Sequence, residues 1–511
     1  MESRIKNSAR NVFFSEMAYA VTLILQFVNR SLFIRLLPEE FLGMNGLFSN
    51  ILSLLSLTEL GFGSALNFAL YKPLKENDTE SLKSLLRLYR RIYTATGLFV
   101  LVLGGALSHF LPYFIKEMPE NAEHMYLYYF LYLVNSSVSY FFTYKRALIL
   151  CSQKEYMISL ISALSGVLLK ISQIIVLCRF QSYTLYLSVM ILTSALENIA
   201  ISKTADRLFP YLKDRQVKAI DPQAVRAILK NGYALFFQKI GEVVVYATDN
   251  LILSKFCGFA LVGLYSNYTM VISSLQAAAY RFFDSITASI GNLCASDEKA
   301  YVETTFYRIL FIDAWMFCTC SVCLSCLLQP FIRLWAGPEY MLSDFDVFII
   351  ILAFYLEGIR ASVVTFKRAV GFYWRIRYKP IIESALNLLL SIPFAIHFGI
   401  AGTLLGTFVS TFCMSFLYES WMLFHYYFQK ELCTYMAMQA KYAAVTVFAS
   451  FLAYGSCSLI RFPQPLLSLF AQLFVCVTVS GLCMAFAFRK NEAYVYFKGY
   501  VKRAIGRVYR R

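Results

Sequence analysis

Charge is what this sequence has least of. Asp, Glu, Lys and Arg supply 15% of its 511 residues, where a soluble protein carries about 25%. Histidine occurs four times, scattered. No glycine-rich phosphate loop or Walker pattern is present, and no nucleophile stands at catalytic spacing from a base. ATP hydrolysis is therefore not expected, nor is enzymatic activity of any kind. No small-residue cleavage pattern follows the first apolar run, which Arg4, Lys6 and Arg10 precede, so that run is expected to stay in the membrane. Long polar loops are also missing. The longest stretches expected outside surround Lys116–His124 and Ala336–Asp344, too short for a folded extracytoplasmic domain.

Apolar residues fill the space instead. They make up 59% of the chain, the mean hydropathy is +0.57, and the solvent is lipid. A spanning helix needs about 20 mainly apolar residues. Fourteen stretches qualify: 12–36, 42–70, 92–115, 125–147, 156–178, 183–202, 232–256, 259–285, 308–332, 346–368, 381–398, 402–424, 442–460 and 467–488. The fold class is thus an all-α polytopic membrane protein. A net charge of +16 could point to nucleic acid, but the basic residues lie in short bursts between apolar runs, with no continuous basic face.

Those bursts set the orientation. With a cytoplasmic N-terminus, outside ends hold Arg35, Lys116, Arg179, Lys255, Arg333 and Arg461, and spans hold Arg30, Lys170, Lys239, Arg281 and Arg360. The rest of the 47 Lys and Arg face the cytoplasm, so both termini are expected inside. The longest polar connection, 203–231, marks a cytoplasmic linker. It divides an N-lobe (1–202, six helices) from a C-lobe (232–428, six helices). Two further helices and a basic tail follow (429–511), the tail placing Val495, Val501, Ala504, Ile505 and Val508 as in a helix lying on the anionic leaflet, or in a disordered tail.

The two lobes read as a duplication. Thr143-Tyr144-Lys145-Arg146-Ala147 returns 222 positions later as Thr365-Phe366-Lys367-Arg368-Ala369, and the same offset matches Ser162-Ala163-Leu164 to Ser384-Ala385-Leu386. An offset of 220 pairs Arg35, Leu42, Gly43 and Asn50 with Lys255, Val262, Gly263 and Met270. The Lys-Arg pairs fit orientation anchors at headgroup level. In a minority reading, Lys145, Arg146, Lys367 and Arg368 meet an anion at the cytoplasmic mouth.

Charges inside spans are the strongest functional signal, because each costs about 2.5–3.5 kcal/mol at a helix centre on insertion scales. Lys239/Glu242, Arg281/Asp284 and Glu357/Arg360 are opposite charges three apart and can neutralise each other on one face. Arg30, Glu59 and Asp249 have no such neighbour on their own helices and fit cavity positions better. Glu383 opens the eleventh span, and Gly402-Thr-Leu-Leu-Gly406 is a small-xxx-small packing motif. A tyrosine-rich face (Tyr126, Tyr128, Tyr129, Tyr132, Tyr140) could stack on sugars, but anchoring is the commoner use. Cys318, Cys320, Cys323 and Cys326 do not share one helix face and no His or carboxylate accompanies them, so they read as packing, with no metal and no cofactor.

Several stretches in order carry a family resemblance: Thr248-Asp249-Asn250, Gly263-Leu-Tyr-Ser-Asn-Tyr268, Leu334-Trp-Ala-Gly337, Lys379-Pro-Ile-Ile-Glu-Ser-Ala-Leu-Asn387 and Gly399-Ile-Ala-Gly-Thr-Leu-Leu-Gly-Thr407. Together they resemble the Wzx-type polysaccharide flippases of the multidrug/oligosaccharidyl-lipid/polysaccharide exporter superfamily. The resemblance implies a MATE/MurJ-like architecture of two pseudo-symmetric six-helix lobes, with helices one, two, seven and eight around a central cavity. It also implies alternating access and an undecaprenyl-pyrophosphate-linked oligosaccharide as cargo, for O-antigen, capsule or exopolysaccharide. The implied location is the bacterial cytoplasmic membrane. The implied partners are the lipid-linked glycan, the bilayer, and a polysaccharide polymerase with its chain-length machinery.

On that basis Arg30, Lys239, Arg281 and Arg360 would take the anionic substrate, and Glu59, Glu242 and Asp249 would couple an ion. Drug/cation antiport or peptidoglycan-precursor flipping are the alternatives within the superfamily. An antiporter would be expected to place a carboxylate where this first helix has Arg30 and Arg35. A membrane polysaccharide polymerase or O-antigen ligase would need the large outside loop that is missing.

Overall fold

The computed structural model describes residues 21–55, 62–114, 122–152, 154–213, 225–226, 248–296, 299–372, 376, 378–460 and 462–499. All regular structure among the described residues is helical, as the composition dictates: in lipid a backbone must satisfy its own hydrogen bonds. Eight described helices are long and apolar enough to cross a bilayer. The protein is an all-α, multi-pass membrane protein. Glu59, Lys239 and Glu242 lie outside the described residues, as does the tail beyond residue 499.

Two compact units make up the chain, residues 1–263 and 264–511. The first contains α1 (21–36), α2 (Glu40–Leu55), α3 (Phe62–Glu76), α4 (Thr79–Leu107), α5 (Ala122–Val138), α6 (Thr143–Cys151), α7 (Glu155–Phe180), α8 (Tyr183–Leu208) and α9 (248–256). α10 (Phe259–Ser296) begins in it. The second contains α11 (Lys299–Trp335), α12 (Asp344–Gly358), α13 (Ala361–Val370), α14 (Lys379–Ser410), α15 (Glu419–Leu423), α16 (Cys433–Ser458), α17 (Pro465–Ala487) and α18 (492–499). α11 packs against α12, α16 and α17 and is the spine of this unit. Outward faces of α16 and α17 expose Phe451, Leu459, Phe470, Phe474 and Phe486. Such a band would aggregate in water and is the ordinary contact face in lipid.

The expected fourth and tenth spans are not continuous. α5 gives way to a 3-10 turn at Ser139–Phe141 before α6, and α12 stops at Gly358 before α13. Both breaks lie shortly before the repeated pentapeptide, at 139–142 and 359–360, and the 222 offset matches the threonine bonds that follow: Thr143 bonds Ser139 O at 2.9 Å, and Thr365 bonds Ala361 O at 2.8 Å. Backbone groups freed by the second break find partners, as lipid demands. Ile359 O accepts from Gln439 Nε2 at 3.1 Å and Ser362 N donates to Asp313 Oδ2 at 2.8 Å.

The eleventh and twelfth spans form a continuous helical stretch, Lys379–Phe428, of 50 residues. At 1.5 Å per residue a straight helix of that length would measure roughly 75 Å, far more than a hydrocarbon core of about 30 Å. It bends at Gly399, whose φ of 57° and ψ of −126° suit glycine. Asp346 Oδ1 takes Ala401 N at 2.9 Å, capping the second arm. The arms then fold against each other where the sequence places its small-xxx-small motif: a methyl at Gly402 would strike Phe394 O, and one at Gly406 would lie 2.6 Å from Ser391 N. Asn387 Nδ2 reaches Thr407 Oγ1 at 2.8 Å and Ser391 Oγ reaches Thr403 O at 3.1 Å.

The weaker repeat, offset 220, is also a contact. A Cβ on Gly263 would stand 3.1 Å from Leu42 Cβ and 3.5 Å from Gly43 N, and one on Gly46 would stand 3.1 Å from Val262 Cγ1. The paired glycines Gly43 and Gly263 thus mark where α2 and α10 cross, in the first unit and beyond the linker that the sequence reading uses as its seam.

Candidate functional site

In the first unit, Asn29 and Arg30 sit side by side on α1. Asn29 is buried and donates to Gln173 Oε1 at 2.8 Å and to Tyr186 OH at 3.2 Å. Arg30 follows Asn29 on α1 and Lys170 lies one helical turn before Gln173 on α7, so the Asn29–Gln173 bond sets two cations on adjoining helices. Aromatic rings pack the same part of the lobe. Phe41 stacks on Tyr183 at 4.6 Å, Tyr128 meets Tyr183 edge-on at 4.8 Å, and Phe33 meets Tyr186 at 5.2 Å. Tyr128, Tyr129, Tyr132 and Tyr140 of the expected aromatic face are all buried. They pack α5 against its neighbours, which leaves packing rather than sugar stacking as their use.

The repeated Lys-Arg pair is paired in both units. Lys145 Nζ bonds Asp206 Oδ2 at 2.7 Å and Ser202 Oγ at 2.8 Å, while Arg146 lies 3.4 Å from Glu197 Oε1. In the second unit Lys367 Nζ bonds Glu419 Oε1 at 2.6 Å and Arg368 lies 3.1 Å from Asp284. Both lysines are thus held by carboxylates of their own lobe. Asp284, which the sequence sets three residues after Arg281, is the acid that Arg368 meets.

Glu419 opens onto a larger arrangement. Its carboxylate, 2% exposed, also lies 3.1 Å from Lys379 Nζ and 3.6 Å from Arg360 Nη1. Arg360 forks onto Glu357 with two bonds, 3.0 and 2.9 Å, and Lys379 pairs with Glu383 at 2.6 Å. Ser415 bridges Glu383 at 2.7 Å and Lys379. Three cations and three carboxylates thus sum to zero charge inside the second unit. The bend between α12 and α13 supplies Arg360, and the first turn of α14 supplies Lys379 and Glu383. A π-helical stretch, Thr411–Tyr418, widens the backbone just before Glu419 and brings Ser415 and Glu419 to the same cluster. A lone charge here would be costly, and the balanced set is tolerable.

The expected Glu357/Arg360 pair is present. Arg360, nominated for substrate, is held by two carboxylates of its own unit. Asp249 is buried on α9, and Arg281 is half-buried on α10. The sequence reading misses Glu419 and Asp313, single acids embedded in apolar runs. Glu419 was reachable: it lies 222 positions after Glu197, the repeat's own register.

No protein-family model matches the sequence, and no curated relative does either. Solved structures do match. The chain is similar to the lipid II flippase MurJ in an inward closed conformation, with a TM-score of 0.67 at 14% identity over 94% of this chain and 99% of that one. It is also similar to an inward-facing multidrug-resistance MATE transporter (TM-score 0.62, 14% identity, 78% and 93% covered). A point mutant of the Vibrio cholerae MATE transporter VcmN superposes with a TM-score of 0.56 at 12% identity, covering 96% and 99%. The chain has the MurJ/MATE fold. Several residues that carry the flippase resemblance are structural parts of that fold: Lys379, Glu383 and Asn387 hold α14, and Tyr268 OH bonds Gln329 at 2.7 Å while taking Leu342 N at 3.0 Å.

Proposed function

We propose that the protein is a flippase, moving an undecaprenyl-pyrophosphate-linked oligosaccharide from the inner to the outer leaflet of the bacterial cytoplasmic membrane by alternating access. The observation that carries this reading is the placement of Arg30 and Lys170 on adjoining helices of the first lobe, which the Asn29–Gln173 bond holds together. Two cations in spanning helices favour an anion between or beside them, and a pyrophosphate supplies one. The MurJ/MATE fold supports a transport role and provides two lobes for it. Arg281 and Lys239 extend the basic character, and Asp249, Glu59 and Glu242 are the candidates for ion coupling. Arg360, locked to Glu357 and Glu419, belongs to the scaffold in this proposal. Both termini are cytoplasmic, and a polysaccharide polymerase with its chain-length machinery receives the product.

Replacing Arg30 or Arg281 by Ala is expected to abolish surface polysaccharide while the protein still accumulates in the membrane. Normal polysaccharide in both variants would overturn the reading. Similarity to a lipid II flippase supports a second cargo with the same polyprenyl-pyrophosphate end, a peptidoglycan precursor. Deletion separates the two: viable cells without surface glycan indicate the oligosaccharide, and lysis with loss of wall synthesis indicates the precursor.

A further inference from the structure

Three cysteines come together in the second unit. The Sγ atoms of Cys326 on α11, Cys457 near the end of α16 and Cys476 in the middle of α17 all lie within 4.8 Å of one another, and all three residues are buried. Cys457 and Cys476 are 3.6 Å apart. The sequence reading treats the α11 cysteines as packing because nothing nearby in the chain completes a site. The missing donors are supplied by α16 and α17, far along the chain.

We propose that Cys326, Cys457 and Cys476 bind one thiophilic closed-shell cation, Zn2+ or Cu+, tying α16 and α17 to α11. Thiolates at about 2.3 Å from a tetrahedral ion stand ~3.8 Å apart, close to the 3.6 Å between Cys457 and Cys476 and within the 4.8 Å that spans all three sulfurs. An all-sulfur donor set selects soft ions and excludes Mg2+ and Ca2+. Ser325 Oγ lies 3.8 Å from Cys326 Sγ, where a hydroxyl can support a ligating sulfur. Gln472 Nε2 bonds the carbonyls of Cys457 at 3.3 Å and Ile460 at 3.4 Å, fixing the α16–α17 turn beside the site. Cys457 is the second-last residue of α16, so an ion enters from that turn without crossing the lipid-facing wall. Each thiol that ligates releases its proton to solvent along the same route. The two helices that lie outside the duplicated twelve would thus be pinned to the second unit by a metal.

The test uses the full-length protein in detergent, reduced, incubated with Cd2+ and desalted. Expected are about one Cd2+ per chain, a thiolate-to-cadmium charge-transfer band, and protection of these three thiols from maleimide. Metal retention is expected to fall at least tenfold in Cys457→Ser and Cys476→Ser and to persist in Cys178→Ser and Cys413→Ser. Metal analysis of protein isolated from cells supplied with zinc and copper identifies the resident ion. Wild-type protein that keeps no Cd2+ and leaves the three thiols reactive would overturn the proposal, whether or not the serine variants fold. So would a Cys457–Cys476 disulfide in protein isolated with its thiols blocked, because it removes two of the three ligands.

Discussion

Glu197 and Glu419 stand 222 positions apart, and each closes an ion pair with the repeated Lys-Arg dipeptide of its own unit, Arg146 in the first and Lys367 in the second. The duplication therefore extends past the pentapeptide to its counter-charge. The surroundings have diverged. Glu197 faces an exposed arginine and Ser162, whereas Glu419 is buried among Lys367, Lys379 and Arg360.

That divergence gives unequal mutational costs. Glu419→Gln leaves three cations with only two carboxylates among them and is expected to destabilise the protein by about 3–5 kcal/mol, the usual result of breaking a buried pair. Glu197→Gln breaks a pair with a solvent-exposed arginine and is expected to cost about 0–1 kcal/mol. Unfolding in detergent reads both, and equal losses would contradict the burial argument.

The folded-back arms of α14 tolerate nothing larger than glycine. Gly402→Ala and Gly406→Ala each drive a methyl into backbone atoms of the facing arm, and both variants are expected to fail to accumulate. Gly455→Ala, whose added methyl meets open space, is expected to be neutral or to gain up to about 1 kcal/mol from helix propensity. Membrane levels of the three variants, compared by immunoblot, check the contrast.

Asp313 is fully buried and accepts the first free amide of α13 through Oδ2. Asp313→Asn keeps an acceptor oxygen and is expected to stay close to wild type. Asp313→Ala orphans the Ser362 amide and is expected to cost about 1–3 kcal/mol. A thermal melt that ranks the two substitutions in the opposite order would show that the charge, not the hydrogen bond, matters here.

Tyr268 serves two buried partners with one hydroxyl, Gln329 Oε1 and Leu342 N. Tyr268→Phe preserves the ring and strands both, with an expected loss of about 1–3 kcal/mol. Transport by the surviving folded protein should be unchanged, which a polysaccharide assay on cells with matched protein levels would verify.

Periodicity and hydropathy made most of the fold legible. α7 and α17 coincide with expected spans to within two residues, α8, α11 and α16 contain most of theirs but run six to nine residues beyond one end, and Gly399 splits a helix where the sequence places the division. The breaks before Thr143 and at Ile359–Arg360 were not legible, because no proline marks either. At the second, Asp313 and Gln439 offer the backbone partners that an unbroken helix would not need. The charged cluster was half legible. Glu357/Arg360 shows as an i, i+3 pair, but Lys379 and Glu419 are 40 residues apart and meet only because α14 doubles back. The thiol cluster was hidden for the same reason.

The zero-sum cluster also bears on how the protein is made. Its cations precede its last acid in the chain: Arg360 and Lys367, then Lys379, and Glu419 at the far end. Arg360 and Lys379 have acids close by in the chain, Glu357 and Glu383, which leaves Lys367 to be balanced by Glu419. A lone charge near the bilayer centre costs about 2.5–3.5 kcal/mol on insertion scales, so residues 360–419 are expected to leave the translocon together. Crosslinks of arrested chains to the translocon that are lost before Glu419 emerges would contradict this.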